Sequence, residues 1–139
     1  MEKIKIGFVD FWGDGFDRES NYFTNLLRTK YEVQIDQDNP DLLFFTVGYG
    51  GDLSALSYKD YKCKKIFFTG ENVRPNFDGP EYNIQNNMAV MKSDLSLSFD
   101  FSDDERNYRF PLWAMYIDWF DNKTYGNPEY IIPVNEISD

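Results

Sequence analysis

Leu42-Leu43-Phe44-Phe45-Thr46-Val47 is an apolar run broken only by Thr46. A short run without polar alternation reads as a strand covered on both faces. Upstream of it lies Asp36-Gln37-Asp38-Asn39-Pro40, a turn rich in Asp, Asn and Pro. Residues 31–35 read as a further strand, and residues 19–30 place Tyr22, Phe23, Leu26 and Leu27 at helical spacing. Asp17 is the expected cap of that helix, and Glu19 suits its first turn. Residues 4–9 form another short buried strand, closed by Asp10 and a glycine-containing loop. Downstream, residues 48–51 form a loop, Asp52 starts a short helix reaching Tyr61, and Lys64-Lys65-Ile66-Phe67-Phe68 is a compact strand. The order strand, helix, strand, strand, helix, strand predicts an α/β fold: a Rossmann-like, mostly parallel sheet flanked by helices. Beyond residue 70 the pattern loosens. Residues 95–99 and 108–110 read as short strands, Pro111 suits the first turn of a helix over 112–120, and 127–139 read as an extended tail.

The composition narrows the functions available. The chain has 139 residues, enough for one domain. It carries 14 Lys plus Arg against 24 Asp plus Glu, a net charge of −10, with a pI near 4.4. That balance argues against nucleic acid and against an anionic membrane surface, since both are bound through Lys and Arg. Histidine is absent, which excludes Ser–His and Cys–His nucleophile pairs and histidine metal sites. Cys63 is the single cysteine, so neither an intrachain disulfide nor a cysteine zinc cluster can form. The charged N-terminus lacks the apolar core of a signal peptide, and no apolar run approaches the roughly 20 residues of a membrane span. A cytoplasmic protein without a transmembrane segment is the expectation. Any chemistry must rest on carboxylates, backbone amides, Lys, Arg or Tyr.

Five stretches carry candidate chemistry. Gly48-Tyr49-Gly50-Gly51-Asp52-Leu53 follows a strand like a dinucleotide loop, but Leu53 stands at the third glycine position. Asp52 also puts negative charge where a phosphate would sit, so a plain turn is the better account. Asp36-Gln37-Asp38 has the look of an acidic metal triplet, with oxygen ligands suited to magnesium or manganese. The same residues beside Pro40 are ordinary turn formers, and that reading is preferred. Asp103-Asp104-Glu105 reads as a solvated acidic loop. The most informative stretch is Thr69-Gly70-Glu71-Asn72-Val73-Arg74-Pro75-Asn76-Phe77, at the carboxyl end of a buried strand. Asp10-Phe11-Trp12-Gly13 has the same position after the first strand. In open α/β sheets ligands bind at that edge, so a carboxylate, an amide, an arginine and an indole can converge there. Glu71 suits a general base if partly desolvated, and a capping or ion-paired loop glutamate is the competing reading.

These segments also carry a resemblance. Lys62-Cys63-Lys64-Lys65-Ile66-Phe67-Phe68-Thr69-Gly70-Glu71-Asn72-Val73-Arg74-Pro75-Asn76-Phe77 closely resembles the N-terminal domain of family 10 glycosyltransferases, the α-1,3/4-fucosyltransferases. Ile6-Gly7-Phe8-Val9-Asp10-Phe11-Trp12-Gly13, Asn21-Tyr22-Phe23-Thr24-Asn25-Leu26-Leu27 and Asn39-Pro40-Asp41-Leu42-Leu43-Phe44-Phe45 are similar to it as well. So are Ser98-Phe99-Asp100, Tyr108-Arg109-Phe110-Pro111-Leu112-Trp113, Tyr116-Ile117-Asp118-Trp119-Phe120 and Asn127-Pro128-Glu129-Tyr130-Ile131-Ile132-Pro133. The likeness runs in order along nearly the whole chain.

The resemblance implies the N-terminal half of a GT-B glycosyltransferase, with residues 1–126 as the acceptor-side domain and 127–139 as a tail or the start of an interdomain linker. Such enzymes transfer fucose from GDP-fucose to a hydroxyl of an N-acetylglucosamine or glucose unit, with inversion. It implies Glu71 as the general base and assigns the acceptor glycan to Asp10, Trp12, Gly13, Asn72, Arg74 and Asp100, with no metal and no cofactor in this domain. The nucleotide-sugar domain is expected on a C-terminal GDP-fucose-binding domain or chain, so that this chain alone is inactive. Two departures stand out: Val73-Arg74-Pro75 follows the Gly-Glu-Asn motif where many relatives carry Glu-Ser-Pro, and residues 83–94 look like an insertion. A non-catalytic carbohydrate-binding or assembly module derived from such a domain is the alternative. A homodimer through Trp113, Tyr116, Trp119 and Phe120 is a further one, against simple core packing of those residues.

Overall fold

The computed structural model describes residues 1–11, 15–46, 57–70, 93–98, 103–111 and 115. Six strands form one sheet: β1 (Glu2–Val9), β2 (Tyr31–Ile35), β3 (Leu42–Phe45), β4 (Lys64–Phe68), β5 (Leu95–Ser98) and β6 (Asn107–Arg109). Their spatial order is β2-β1-β3-β4-β5-β6, and every neighbouring pair is parallel. The expected α/β class is therefore observed. The two apolar runs, β3 and β4, lie at the centre, where both faces are covered.

The helix α1 (Tyr22–Arg28) lies between β1 and β2 in the chain. It is shorter than its apolar spacing suggests. Asn21, not Asp17, is its cap: the Asn21 side-chain carbonyl accepts the Thr24 N–H at 3.0 Å. Asp17 instead folds the preceding turn, accepting the N–H groups of Glu19 and Ser20 at 2.9 and 3.1 Å. Asn21 wins the cap because its amide also donates to the carbonyls of Asp17 and Arg18, locking it at the junction.

Side-chain alternation divides the core into two clusters on opposite sheet faces. Ile6, Phe8, Phe44 and Phe68 face α1, where Phe23 stacks on Phe44 at 4.9 Å and meets Phe68 at 5.3 Å and Phe110 at 6.3 Å. Leu43, Phe45 and Phe67 face the other way, and Tyr58 stacks on Phe45 at 4.2 Å. Tyr58 belongs to a single 3-10 turn over Ser57–Asp60, which is the described end of the helix expected over 52–61.

The stretch 36–41 does more than turn. Ile6 of β1 pairs with Ile35 of β2 on one side and with Leu42 of β3 on the other. Six residues therefore carry the chain across β1 without a helix. They cross at Gly7, where an added Cβ would lie 3.2 Å from the Asp36 carbonyl, from Pro40 Cγ and from Leu43 Cδ1. The Gln37 side chain takes the place of a further β2 residue: its carbonyl accepts the Phe8 N–H and its amide donates to the Phe8 carbonyl, both at 2.8 Å. The last strand begins and ends one residue earlier than its sequence suggests, because Phe110 leaves the edge for the core while its N–H still donates to the Ser98 carbonyl at 2.7 Å. The tail at 127–139 and all of the helix expected over 112–120 except Met115 lie outside the described residues.

Candidate functional site

Because all strands run the same way, the residues that follow them share one rim. Asp10 follows β1, Thr46 follows β3, Thr69 and Gly70 follow β4, and Phe110 follows β6. The sheet order reverses between β1 and β3, since the chain moves outward to β2 and then back past β1. That reversal is the crevice in which doubly wound sheets bind ligands.

Asp10 stands at the crevice. Its φ is 63°, the left-handed region that a short polar side chain tolerates better than others. The conformation turns its carboxylate toward the segment that descends to β4. Oδ1 accepts the Ser57 N–H at 3.0 Å, and Oδ2 accepts the N–H groups of Ser57 and Tyr58 at 3.1 and 3.3 Å. Asp10 thus caps the 3-10 turn and ties the β1 end to the stretch after β3. Burial, and then the Asp10 charge, push the Tyr58 hydroxyl above its ordinary range, so it stays neutral.

Thr46 sits beside this tie, 1% exposed, and among the described residues its hydroxyl has no hydrogen-bond partner. A buried unpaired hydroxyl costs about 1–3 kcal/mol. Across the rim, the Thr69 N–H donates to the Leu97 carbonyl at 3.0 Å and holds the end of β4 against β5. Phe11 stacks on Phe16 at 4.3 Å and touches Phe8 edge-on at 5.6 Å, so both aromatic rings rest on the α1-side core.

Of the residues expected to contact the acceptor, Asp10 is the one described, and its carboxylate holds backbone. Trp12, Gly13, Glu71, Asn72, Arg74 and Asp100 lie outside the described residues, as does the glycine loop at 48–53. In the chain, Glu71 directly follows Gly70 and Trp12 directly follows Phe11.

The acidic triplet resolves into structure. Asp36 Oδ2 accepts the Lys5 ammonium at 2.9 Å, and Oδ1 accepts the N–H groups of Asp38 and Asn39 at 3.1 and 2.9 Å. The Asn39 N–H, then Lys5, hold its carboxyl below the usual range. Gln37 is bound to Phe8, as above. Among the described residues no group of three His, Cys, Asp or Glu side chains is placed to hold a metal ion. In the second acidic run, Arg106 pairs with Asp104 at 2.6 Å. No described helix is long and apolar enough to cross a membrane.

With this geometry in view, the comparisons with known proteins are consistent. The family model described as "Alpha-(1,3)-fucosyltransferase FucT N-terminal domain" matches residues 6–116. An α-(1,3)-fucosyltransferase FucT of Helicobacter pylori is 31% identical over 116 residues. That match covers 79% of this chain and 21% of the relative, so the chain spans about a fifth of the relative's length. A crystal structure of an α1,3-fucosyltransferase superposes with a TM-score of 0.50 at 26% identity, covering 81% of this chain and 29% of that one. A crystal structure of an α1,3-fucosyltransferase with GDP gives 0.48 at 24% identity, covering 81% and 27%. The six-stranded parallel sheet and the matched residues agree: the chain belongs to the α-(1,3)-fucosyltransferase FucT N-terminal domain family.

Proposed function

We propose that residues 1–126 form the acceptor-side domain of an α-1,3-fucosyltransferase and that 127–139 lead toward a nucleotide-sugar domain. The observation that carries this reading is the shared rim. The β4 strand ends at Phe68, and Thr69 and Gly70 lead from it toward Glu71 on the edge where Asp10 marks the β1/β3 crevice. Family membership supports a transferase role for that edge.

In this reading a sugar hydroxyl of the acceptor lies at the rim, and Glu71 accepts its proton. The hydroxyl oxygen forms a bond to C1 of fucose as the bond from C1 to the diphosphate breaks, and GDP leaves with the electron pair. One displacement gives inversion, and one carboxylate suffices as base. Trp12 supplies an apolar face for the sugar ring, and Asn72, Arg74 and Asp100 supply hydrogen bonds. Asp10 contributes by fixing the loop edge. The donor is held by a GDP-fucose-binding domain, joined to this one or on a partner chain. Holding both substrates together supplies most of the rate, so the acceptor side without a donor side transfers fucose poorly.

An NMR titration tests the reading. β-Galactosyl-N-acetylglucosamine should shift the amides of Asp10, Thr46, Thr69 and Gly70, and GDP-fucose should leave this chain unshifted. Saturable GDP-fucose binding by this chain would overturn the division of labour. A folded chain whose rim ignores glycans would overturn the acceptor role.

A further inference from the structure

A groove of about 560 Å³ opens between the 36–41 crossover and the segment that descends from the 3-10 turn to β4. Its walls are fixed. Gln37 is held by Phe8 through both side-chain amide atoms, and the Tyr61 hydroxyl donates to the Gln37 backbone carbonyl at 2.8 Å. Burial, then the nearby carboxylate of Asp38, push that hydroxyl above its usual range, so it remains a donor to this contact. Between the walls the groove presents Asp38, Asn39, Ser57, Asp60 and Lys62. Among the described residues no hydrogen bond or ion pair engages these five side chains. Pro40 and the Tyr61 ring add apolar surface.

We propose that this groove is a second carbohydrate subsite, which holds a neutral sugar unit of the acceptor chain beyond the unit presented to the rim. The proposal rests on the acceptor reading above and extends it. Several uncommitted donors and acceptors around an apolar patch match the hydroxyls and C–H face of a pyranose. Two carboxylates against one ammonium, on a chain of net charge −10, disfavour phosphate, sulfate or carboxylate on the ligand. The groove reaches Ser57, whose N–H is held by Asp10 at the rim. In this proposal a linear glycan runs from the crevice past Ser57 into the groove.

The test uses the whole chain and three probes: the β-galactosyl-N-acetylglucosamine disaccharide, the tetrasaccharide of two such units, and that tetrasaccharide with a terminal sialic acid. Amide shifts and affinity are read together. The neutral tetrasaccharide is expected to move the amides of Asn39, Ser57, Asp60, Tyr61 and Lys62 and to bind about tenfold tighter than the disaccharide, a gain of about 1.4 kcal/mol. The double variant Asn39→Ala/Asp60→Ala, two exposed side chains outside both core clusters, should remove the gain and leave disaccharide binding unchanged. The sialylated probe should leave the groove amides unmoved. Equal affinities with shifts confined to Asp10, Thr69 and Gly70 would overturn the subsite and leave the acceptor reading standing. Groove shifts without rim shifts would uphold a sugar site here and overturn the rim as the acceptor's place. Silence at both would overturn both.

Discussion

The carboxylate of Asp10 accepts the backbone N–H of Ser57, 47 residues further along the chain, with one oxygen at 3.0 Å and the other at 3.1 Å. Asp10 does this from a left-handed backbone with φ of 63°. Asp10→Ala removes the acceptor and places a Cβ-bearing residue without local hydrogen bonding in that region. The expected loss is about 2–3 kcal/mol, combining a charged hydrogen bond with left-handed strain. Asp10→Gly loses the same hydrogen bonds but not the backbone fit, so it should be about 1 kcal/mol more stable than the alanine variant. Urea unfolding of the two variants measures the difference. Equal stabilities would mean that the backbone conformation contributes nothing.

Gly7 permits the crossover from β2 to β3. Its missing Cβ leaves room for the Asp36 carbonyl and Pro40, each 3.2 Å from where that atom would stand. Gly7→Ala forces a backbone carbonyl to move, and the expected cost is about 1–3 kcal/mol. The displaced crossover should also shift the amide resonances of Gln37 and Phe8, which are bonded to one another. Thermal unfolding together with those two resonances checks the claim.

Phe23 joins the helix to β3, to β4 and to Phe110 after β6, and Leu26, one turn later, is 45% exposed. Phe23→Ala should cost about 3–5 kcal/mol, as for other buried aromatic truncations. Leu26→Ala should stay within about 0.5 kcal/mol. Comparable losses at the two positions would contradict the orientation of α1.

Acid sensitivity follows from the carboxylates that the folded chain holds as anions. The Arg106 guanidinium, then the Arg106 N–H, lower the Asp104 carboxyl from 3.8 to about 2. The ammonium of Lys64, then the N–H of Lys65, lower Asp94, and the N–H of Asn39, then Lys5, lower Asp36. A lowered folded pKa means that the unfolded chain binds more protons between the two values. The contribution is therefore complete above the ordinary carboxylate pKa and is lost as pH falls through the folded one. For Asp104 the window runs from about 3.8 down to about 2. Carboxyl NMR should show Asp104 titrating near the lower end in the native chain and returning toward 3.8 in Arg106→Ala. Asp104→Asn should flatten the loss of stability across the same interval.

The centre of the sheet was legible because β3 and β4 are compact apolar runs: 64–68 is observed with the bounds its sequence suggests, β3 ends two residues before the apolar run does, and the half-exposed edge strand 31–35 also keeps its expected bounds. The crossover was not legible. Asp36-Gln37-Asp38-Asn39-Pro40 has ordinary turn composition, and nothing local distinguishes a turn between adjacent strands from a step across one. Gly7 looks like any strand glycine until the chain above it is seen. The helix cap moved from Asp17 to Asn21 because both can cap and only the junction geometry selects between them. Asp10 was legible as a rim residue but not as the anchor of Ser57, a partner that sequence distance hides. The role proposed for Glu71 rests on the resemblance of the Gly-Glu-Asn motif and on its place after β4, since one glutamate on a loop has no periodicity to report a role.

Glu71 gives the most direct test of mechanism. If it takes the proton from the acceptor hydroxyl, Glu71→Gln keeps the shape and hydrogen-bonding capacity of the side chain but removes its basicity. Transfer by the chain completed with a GDP-fucose-binding domain should fall by roughly 10²–10⁴-fold, the usual worth of a positioned general base. Glycan affinity measured by titration should stay within about threefold of the native value, because the amide still accepts and donates hydrogen bonds. Glu71→Ala should lower both. The three proteins together separate a base from a sugar ligand: if Glu71→Gln transfers fucose at the native rate while Glu71→Ala binds weakly, Glu71 is a hydrogen-bonding ligand and the proton leaves by another group. Asp10→Asn in the same assay then asks whether Asp10, whose oxygens share the N–H of Ser57, is that group.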